Sequence, residues 1–168
     1  YMNESKFPKI EMLPKTKYEW LMDIVGYLAL IIMASILIMN WRDMPNEVPA
    51  HFDGSGNVDR WGSKMELLVL PGIAIAMHFF LMIFERFPQA HNYPERLNDS
   101  NREAFYINSR QTLNYMRNII NVLFAYIVYR TVSIAMGDNA TLGWPFFVIL
   151  IVMFVVIVWK IIKTSKIK

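Results

Sequence analysis

His51, Asp53 and Asp59 stand close together in the segment MPNEVPAHFDGSGNVDRWGSKM (44–65). An imidazole with two carboxylates is a donor set that takes zinc or another divalent ion. His51 beside Ser55 or Ser63 likewise supplies a base and a hydroxyl, two of the three parts of a hydrolase. Neither set is complete: the loop has no second histidine, and nothing near Ser55 or Ser63 announces an oxyanion hole. Asp53 is better used in an Asx turn, and Asp59 has Arg60, Lys64 and backbone amides as partners. The sequence therefore favours no metal, no cofactor and no catalytic residue. His51, Phe52, Asp59 and Trp61 remain as candidate binding residues.

The rest of the segment shapes a loop to carry them. Pro45 and Pro49 stiffen its entry, and Asp53-Gly54-Ser55-Gly56-Asn57 is strong turn chemistry between two extended stretches, VPAHF (48–52) and NVDRW (57–61). This predicts a small β-hairpin or a tight Ω-like loop with Phe52 and Trp61 as anchors. Gly62 then turns the chain into Ser63, which with Glu66 forms an S-x-x-E capping box.

What must position this loop is a set of long apolar segments. The chain has 168 residues, 55% of them hydrophobic, which is too apolar for a soluble domain of this size. Crossing a bilayer takes roughly 20 mostly apolar residues. The pattern predicts an all-α membrane protein, a four-helix transmembrane bundle in a single domain, with spans at 20–41, 64–85, 101–136 (a long helix that includes the third span) and 141–162. Tails at 1–19 and 163–168, the signature loop 42–63, a second loop 86–100 and a short turn 137–140 complete it. The first span is longer than a signal-peptide core and lacks a small-x-small site after it. A second S-x-x-E box, Ser100 with Glu103, predicts the start of the long helix, and Pro71-Gly72 predicts a bend in the second span.

Charge sets the expected orientation. Lys6, Lys9, Lys15 and Lys17 precede the first span; Arg86, Arg96, Arg102, Arg110 and Arg117 surround the second loop; Lys160, Lys163, Lys166 and Lys168 end the chain. The opposite side holds Arg42, Arg60 and Lys64. The positive-inside rule then places both termini in the cytoplasm and the 42–63 loop outside a plasma membrane. A net charge of +3 distributed this way fits a lipid surface and not nucleic acid. Cysteine is absent, which excludes disulfides and thiolate chemistry.

Ionisable and amide side chains inside the spans need a reason. Asp23 and Arg117 both fall near the cytoplasmic ends of their helices, where an ion pair and simple headgroup exposure are equally open. Arg130 can snorkel outward or meet Asp138 or Asp43, and His78 suits either a proton relay or a hydrogen bond to a neighbouring helix. Glu103, Arg110, Asn114, Arg117, Asn118 and Asn121 share one broad stripe of the long helix. Helix–helix glue, a homo-oligomer seam and the floor of a polar cavity all fit it, glue most simply. The 86–102 segment, basic and aromatic, reads as a headgroup anchor or a docking surface for a soluble partner.

One segment also carries a resemblance. Pro45, Val48, Pro49, His51, Phe52, Gly56, Asp59, Trp61, Gly62, Ser63 and Lys64, in this order and spacing, resemble the signature of the bacterial membrane family known as domain of unknown function 1648 (DUF1648). That family is similar to the N-terminal part of SdpI-like immunity proteins, which protect Gram-positive cells from a secreted peptide toxin and relay its presence to a repressor. An additional C-terminal SdpI-type helical domain is not evident in this chain. The resemblance implies a non-enzymatic envelope protein whose outer loop meets a peptide, lipid or membrane-protein partner in immunity or stress sensing. An accessory subunit of a transporter or other membrane complex is the alternative, and an enzyme acting on lipid or cell wall comes third.

Overall fold

In the computed structural model, residues 13–168 are described; Lys6, Lys9 and most of the expected N-terminal tail lie outside the described residues. Helix α1 spans Lys17–Asn40, strands β1 and β2 span Glu47–Phe52 and Val58–Ser63, α2 spans Val69–Glu85, α3 spans Arg102–Ala135 and α4 spans Trp144–Ser165. Four helices are long and apolar enough to cross a membrane, the second including a 3-10 turn at Lys64–Leu68 that leads into α2. With the antiparallel β1–β2 hairpin this is an all-α membrane fold carrying one small sheet.

Local chemistry sets the helix ends. Thr16 and Glu19 form a full capping box that starts α1, and Ser63 with Glu66 does the same for the 3-10 turn. The expected box at Ser100 does not form. Asn101 stands at the N-cap with no side-chain cap bond, while the Asn98 carbonyl accepts from the Arg102 N–H and the Asn98 side chain accepts from the Ser100 N–H and hydroxyl. Pro71, where a bend was expected, lies just after a change of helix type. The change of helix type falls before it, at Leu68–Val69, and Pro71 sits in the first turn of α2, where a missing N–H costs little.

Helix α3 is the hub, packing against α1, α2, α4 and β1. It is the least apolar of the four spans and the most buried, whereas α4 is the most apolar and the most exposed. Lipid solvates apolar side chains, so the polar helix goes to the middle. The α1–α3 contact divides lengthwise. Toward the hairpin it is apolar, with Ala29, Met33, Leu37, Ala125, Val128 and Val132 joined under the hairpin by Met44, Val48 and Leu67. Toward the end where the described N-terminal segment and the end of α4 lie, called here the terminal end, it is ionic.

The 86–101 segment folds against α3 and the end of α4. His91 Nδ1 lies 2.6 Å from Ser109 Oγ, Tyr93 donates to the Pro88 carbonyl, and Arg96 donates to the carbonyls of Thr164 and Ile167 at the end of α4. Burial pushes the Tyr93 phenol up to about 12. A guanidinium on the last carbonyls of a helix meets both its free acceptors and its dipole.

Candidate functional site

The hairpin side chains come first, because the sequence singled them out. Asp53 accepts from the N–H groups of Ser55 and Asn57 at 2.8 and 2.9 Å, closing the turn. The Asn57 amide above all, with that of Ser55, holds the Asp53 carboxyl below the usual carboxylate range. Gly56 has φ +82, a left-handed conformation that only glycine adopts freely. Its carbonyl accepts from Leu142 N–H, and the Ala140 carbonyl accepts from Val58 N–H, so the turn is stitched to the segment between α3 and α4. Arg130 holds that segment in turn, pairing with Asp138 at 2.6 Å and donating to the carbonyls of Asn139 and Thr141. Arg130 thereby holds the Asp138 carboxyl low.

The anchors are not those expected. Val48 is fully buried and Met44 nearly so, whereas Trp61 is 44% exposed and Phe52 is half-buried. Consecutive burial of Val48 and Pro49, with pairing irregular between Pro49 and Phe52, turns the Phe52 and Trp61 side chains away from the role of plug. Gly62 is required by space: a Cβ there would run into Ala50 and the side chains of Arg60 and Glu66. Arg60 pairs with Glu66 at 2.9 Å, which holds its guanidinium above its usual range, and Lys64 donates to the Met44 carbonyl. His51 Nδ1 lies 2.6 Å from Asp59 Oδ1, with both side chains exposed. Pro45 and Gly54 are exposed at the entry and the tip, and Ser63 is consumed by its cap. Among the described residues no three His, Asp or Glu side chains gather as a metal-binding set.

At the terminal end lies a denser constellation. Arg117 of α3 donates through Nε to Glu85 Oε1 at 2.6 Å and through Nη2 to Asp23 Oδ1 at 2.5 Å, joining α1, α2 and α3. Its Nη1 lies 3.0 Å from His78 Nε2, and the Asn121 amide lies 2.8 Å from His78 Nδ1. A guanidinium can only donate, so the His78 nitrogen facing it accepts and carries no proton. Asn114 donates to Asp23 and Glu85, and Asn118 donates to Asp23. One layer nearer the end, Arg110 grips both oxygens of Glu19 at 2.8 and 3.0 Å and donates to the carbonyls of Leu13 and Pro14. Lys15 completes the set, its ammonium 2.6 Å from Asp23 Oδ2 and 3.6 Å from Glu85 Oε2.

Periodicity explains why these groups converge. Glu19, Asp23 and Gly26 share a face of α1; His78 and Glu85 share one of α2; Arg110, Asn114, Arg117, Asn118 and Asn121 share one of α3. Gly26 lets Asn118 approach, because a Cβ there would collide with its amide. The structure joins Asp23 to Arg117 and draws in His78, Asn118 and Asn121. It leaves Arg130 at the hairpin end and Glu103 exposed on the surface. Sequence reasoning missed Glu19 and Glu85, although the spacings Glu19–Asp23 and His78–Glu85 each return to one helix face. Lys160, counted with the positive charges that end the chain, is buried in α4, donating to Gln111 Oε1 with its ammonium 5.1 Å from the ring centres of both Tyr115 and Trp159.

Beside this network opens a cavity of about 650 Å³ lined by Leu13, Lys15, Trp20, Asp23, Tyr27, Met82, Glu85, Arg86, Phe87, Pro88 and Arg110. Its walls are apolar and aromatic and its floor is charged. Such a place can hold a small organic molecule by its body and orient it by its head.

The family match falls on the hairpin end of the molecule. Residues 28–75 match the family described as Domain of unknown function (DUF1648). An uncharacterized protein of the archaeon Archaeoglobus fulgidus is 38% identical over 73 residues, 42% of this chain and 38% of that protein. The chain thus spans less than half the length of this relative. No solved structure matches the chain. The matched segment runs from the middle of α1 through the hairpin into α2, and Glu19, Asp23, His78, Glu85 and all of α3 fall outside it. The chain is a membrane protein whose residues 28–75 are similar to the DUF1648 family of domains.

Proposed function

We propose that this is a non-enzymatic plasma-membrane protein that recognises a peptide, lipid or protein partner through its hairpin, in immunity or envelope-stress sensing. The hairpin faces outward and both termini are cytoplasmic, in keeping with the lysines and arginines gathered at the terminal end. One observation supports the reading above others: the hairpin main chain is committed to the segment between α3 and α4 through Gly56 and Val58, while His51, Asp59 and Trp61 project from it exposed. A binding surface on a rigid support loses little entropy when it meets a partner, and an exposed tryptophan beside charged groups is a common anchor of recognition. The resemblance to SdpI-like proteins favours a membrane-active peptide as the partner.

The test combines topology with survival. A cysteine at Ser55 should be labelled on intact cells by a maleimide that cannot cross the membrane. Cells lacking the protein should become sensitive to one member of a panel of membrane-active peptides, and Trp61→Ala or His51→Ala at unchanged abundance should reproduce that sensitivity. Labelling only after the cells are opened, or full protection by both variants, would overturn the proposal.

A further inference from the structure

Among the described residues, the ionic cluster is short of one positive charge unless Lys15 is counted. Arg110 and Arg117 face three buried carboxylates, Glu19, Asp23 and Glu85, and the ammonium of Lys15 brings the set to balance. Lys15 differs from the other members. Its side chain is 28% exposed where those of Asp23 and Glu85 are 7% and 3% exposed. It also lies before the Thr16 cap, outside α1, so it can leave its partners without unwinding a helix. The carboxylates cannot be left uncompensated at this depth, so whatever displaces the Lys15 ammonium must bring one positive charge of its own.

The surroundings define what that cation looks like. Asp23, Glu85 and Lys15 line the 650 Å³ cavity together with Trp20, Tyr27, Met82 and Phe87. The Lys15 ammonium lies 5.6 Å from the centre of the Trp20 ring, a cation–π distance. Asn114, fully buried and donating to both carboxylates, has no hydrogen-bond partner for Oδ1 among the described residues, which leaves an acceptor bordering the same pair. Carboxylates at the floor, aromatic rings on the wall and a tethered ammonium already in place describe a seat for an organic ammonium with an apolar body.

We propose that the Asp23–Glu85 pair and the cavity above it form a binding site for one amphiphilic organic ammonium ion, with Lys15 as a built-in competitor that the ligand displaces. The ligand's head takes the position of the Lys15 ammonium, and its body lies against Trp20, Tyr27, Met82 and Phe87. This site lies at the opposite end of the bundle from the hairpin and does not depend on what the hairpin recognises.

The probe is phenethylammonium, with phenethyl alcohol as its neutral counterpart, titrated by calorimetry into the full chain in a neutral detergent. Saturable binding of one phenethylammonium per chain is expected for the wild type, tightening about tenfold or more in Lys15→Ala because the competitor is gone. Asp23→Asn in the Lys15→Ala background should abolish it, and phenethyl alcohol should not bind. Should Lys15→Ala fail to fold, Lys15→Met keeps the stem without the charge and carries the same expectation. Equal affinity in wild type and the Lys15 variant, binding by the Lys15 variant alone, equal binding of the alcohol, or no saturable binding by any form would each overturn the proposal.

Discussion

The two ends of this bundle solve the placement of polar groups in opposite ways. At the hairpin end the charged pairs, His51 with Asp59 and Arg60 with Glu66, lie on the surface over an apolar core of Met33, Val48, Val128 and Val132. At the terminal end the charges are the core: Asp23, Glu85 and Arg117 are all buried. The surface pairs each have water as an alternative partner, so each is worth little. The buried groups have only one another, so removing any one leaves the others uncompensated. The family match covers the first region and not the second. The hairpin end is therefore the part of this chain that is similar to DUF1648 domains.

The largest expected effect follows from that asymmetry. Arg117→Met removes the cation that Asp23 and Glu85 share, and should cost about 3–5 kcal/mol, read as a loss of resistance to unfolding in mixed detergent. His51→Ala in the same assay should cost less than about 0.5 kcal/mol, as surface changes do. Replacing Asp23, Glu85 and Arg117 together with apolar residues of similar volume should cost less than Arg117→Met alone, since no charge is then stranded. Equal costs for Arg117→Met and His51→Ala would erase the distinction between the two ends.

A smaller effect is expected from packing in the polar half. Gly26→Ala pushes a methyl into the Asn118 amide, which also donates to Asp23, so overpacking and a disturbed hydrogen bond act together. The cost should be about 1–3 kcal/mol. Asn118→Ala should relieve part of it in the double variant, so the two changes should cost less together than the sum of each alone. Strict additivity would show that the contact between α1 and α3 is looser than the structure has it.

These residues also show what a sequence can and cannot disclose. The four spans and the hairpin were legible because a bilayer demands long apolar runs and a hairpin demands Gly and Asp at its tip. The stripe on α3 was legible by the same logic, since Asn114, Asn118 and Asn121 recur on one face amid apolar residues. Glu19, Glu85 and Lys160 were not, because a charge near the end of a span has headgroups and water as the obvious alternative. Only the third dimension shows that Arg110, Arg117 and Gln111 lie nearer. Glu103 failed in the opposite sense: it shares the stripe by angle but sits in the first turn of α3, before α1 has come alongside, and stays exposed. Trp61 was assigned as an anchor for its size, yet Val48 and Pro49 on the partner strand had already filled the space beneath the hairpin.

The smallest effect tests the hairpin end by pH. The Asp53 carboxyl is held low by the backbone amides of Asn57 and Ser55, so the folded hairpin binds its proton less readily than an unfolded chain, whose carboxyl titrates at about 3.9. What the ionised group contributes is fully present above that value and is lost as pH falls through the lower folded value. Carboxyl carbon NMR of the labelled protein in micelles should place the Asp53 midpoint below 3.9. Asp53→Asn keeps an acceptor for both N–H groups, so it should preserve the turn, seen as unchanged amide shifts of Ser55 and Asn57 apart from local offsets, while removing this pH dependence. An Asp53 midpoint at or above the unfolded value would mean that the turn is not held by its carboxylate. The hairpin would then owe its shape to Gly56 and its bonds to the α3–α4 connection alone, making it a dependent of the bundle and not a unit with turn chemistry of its own.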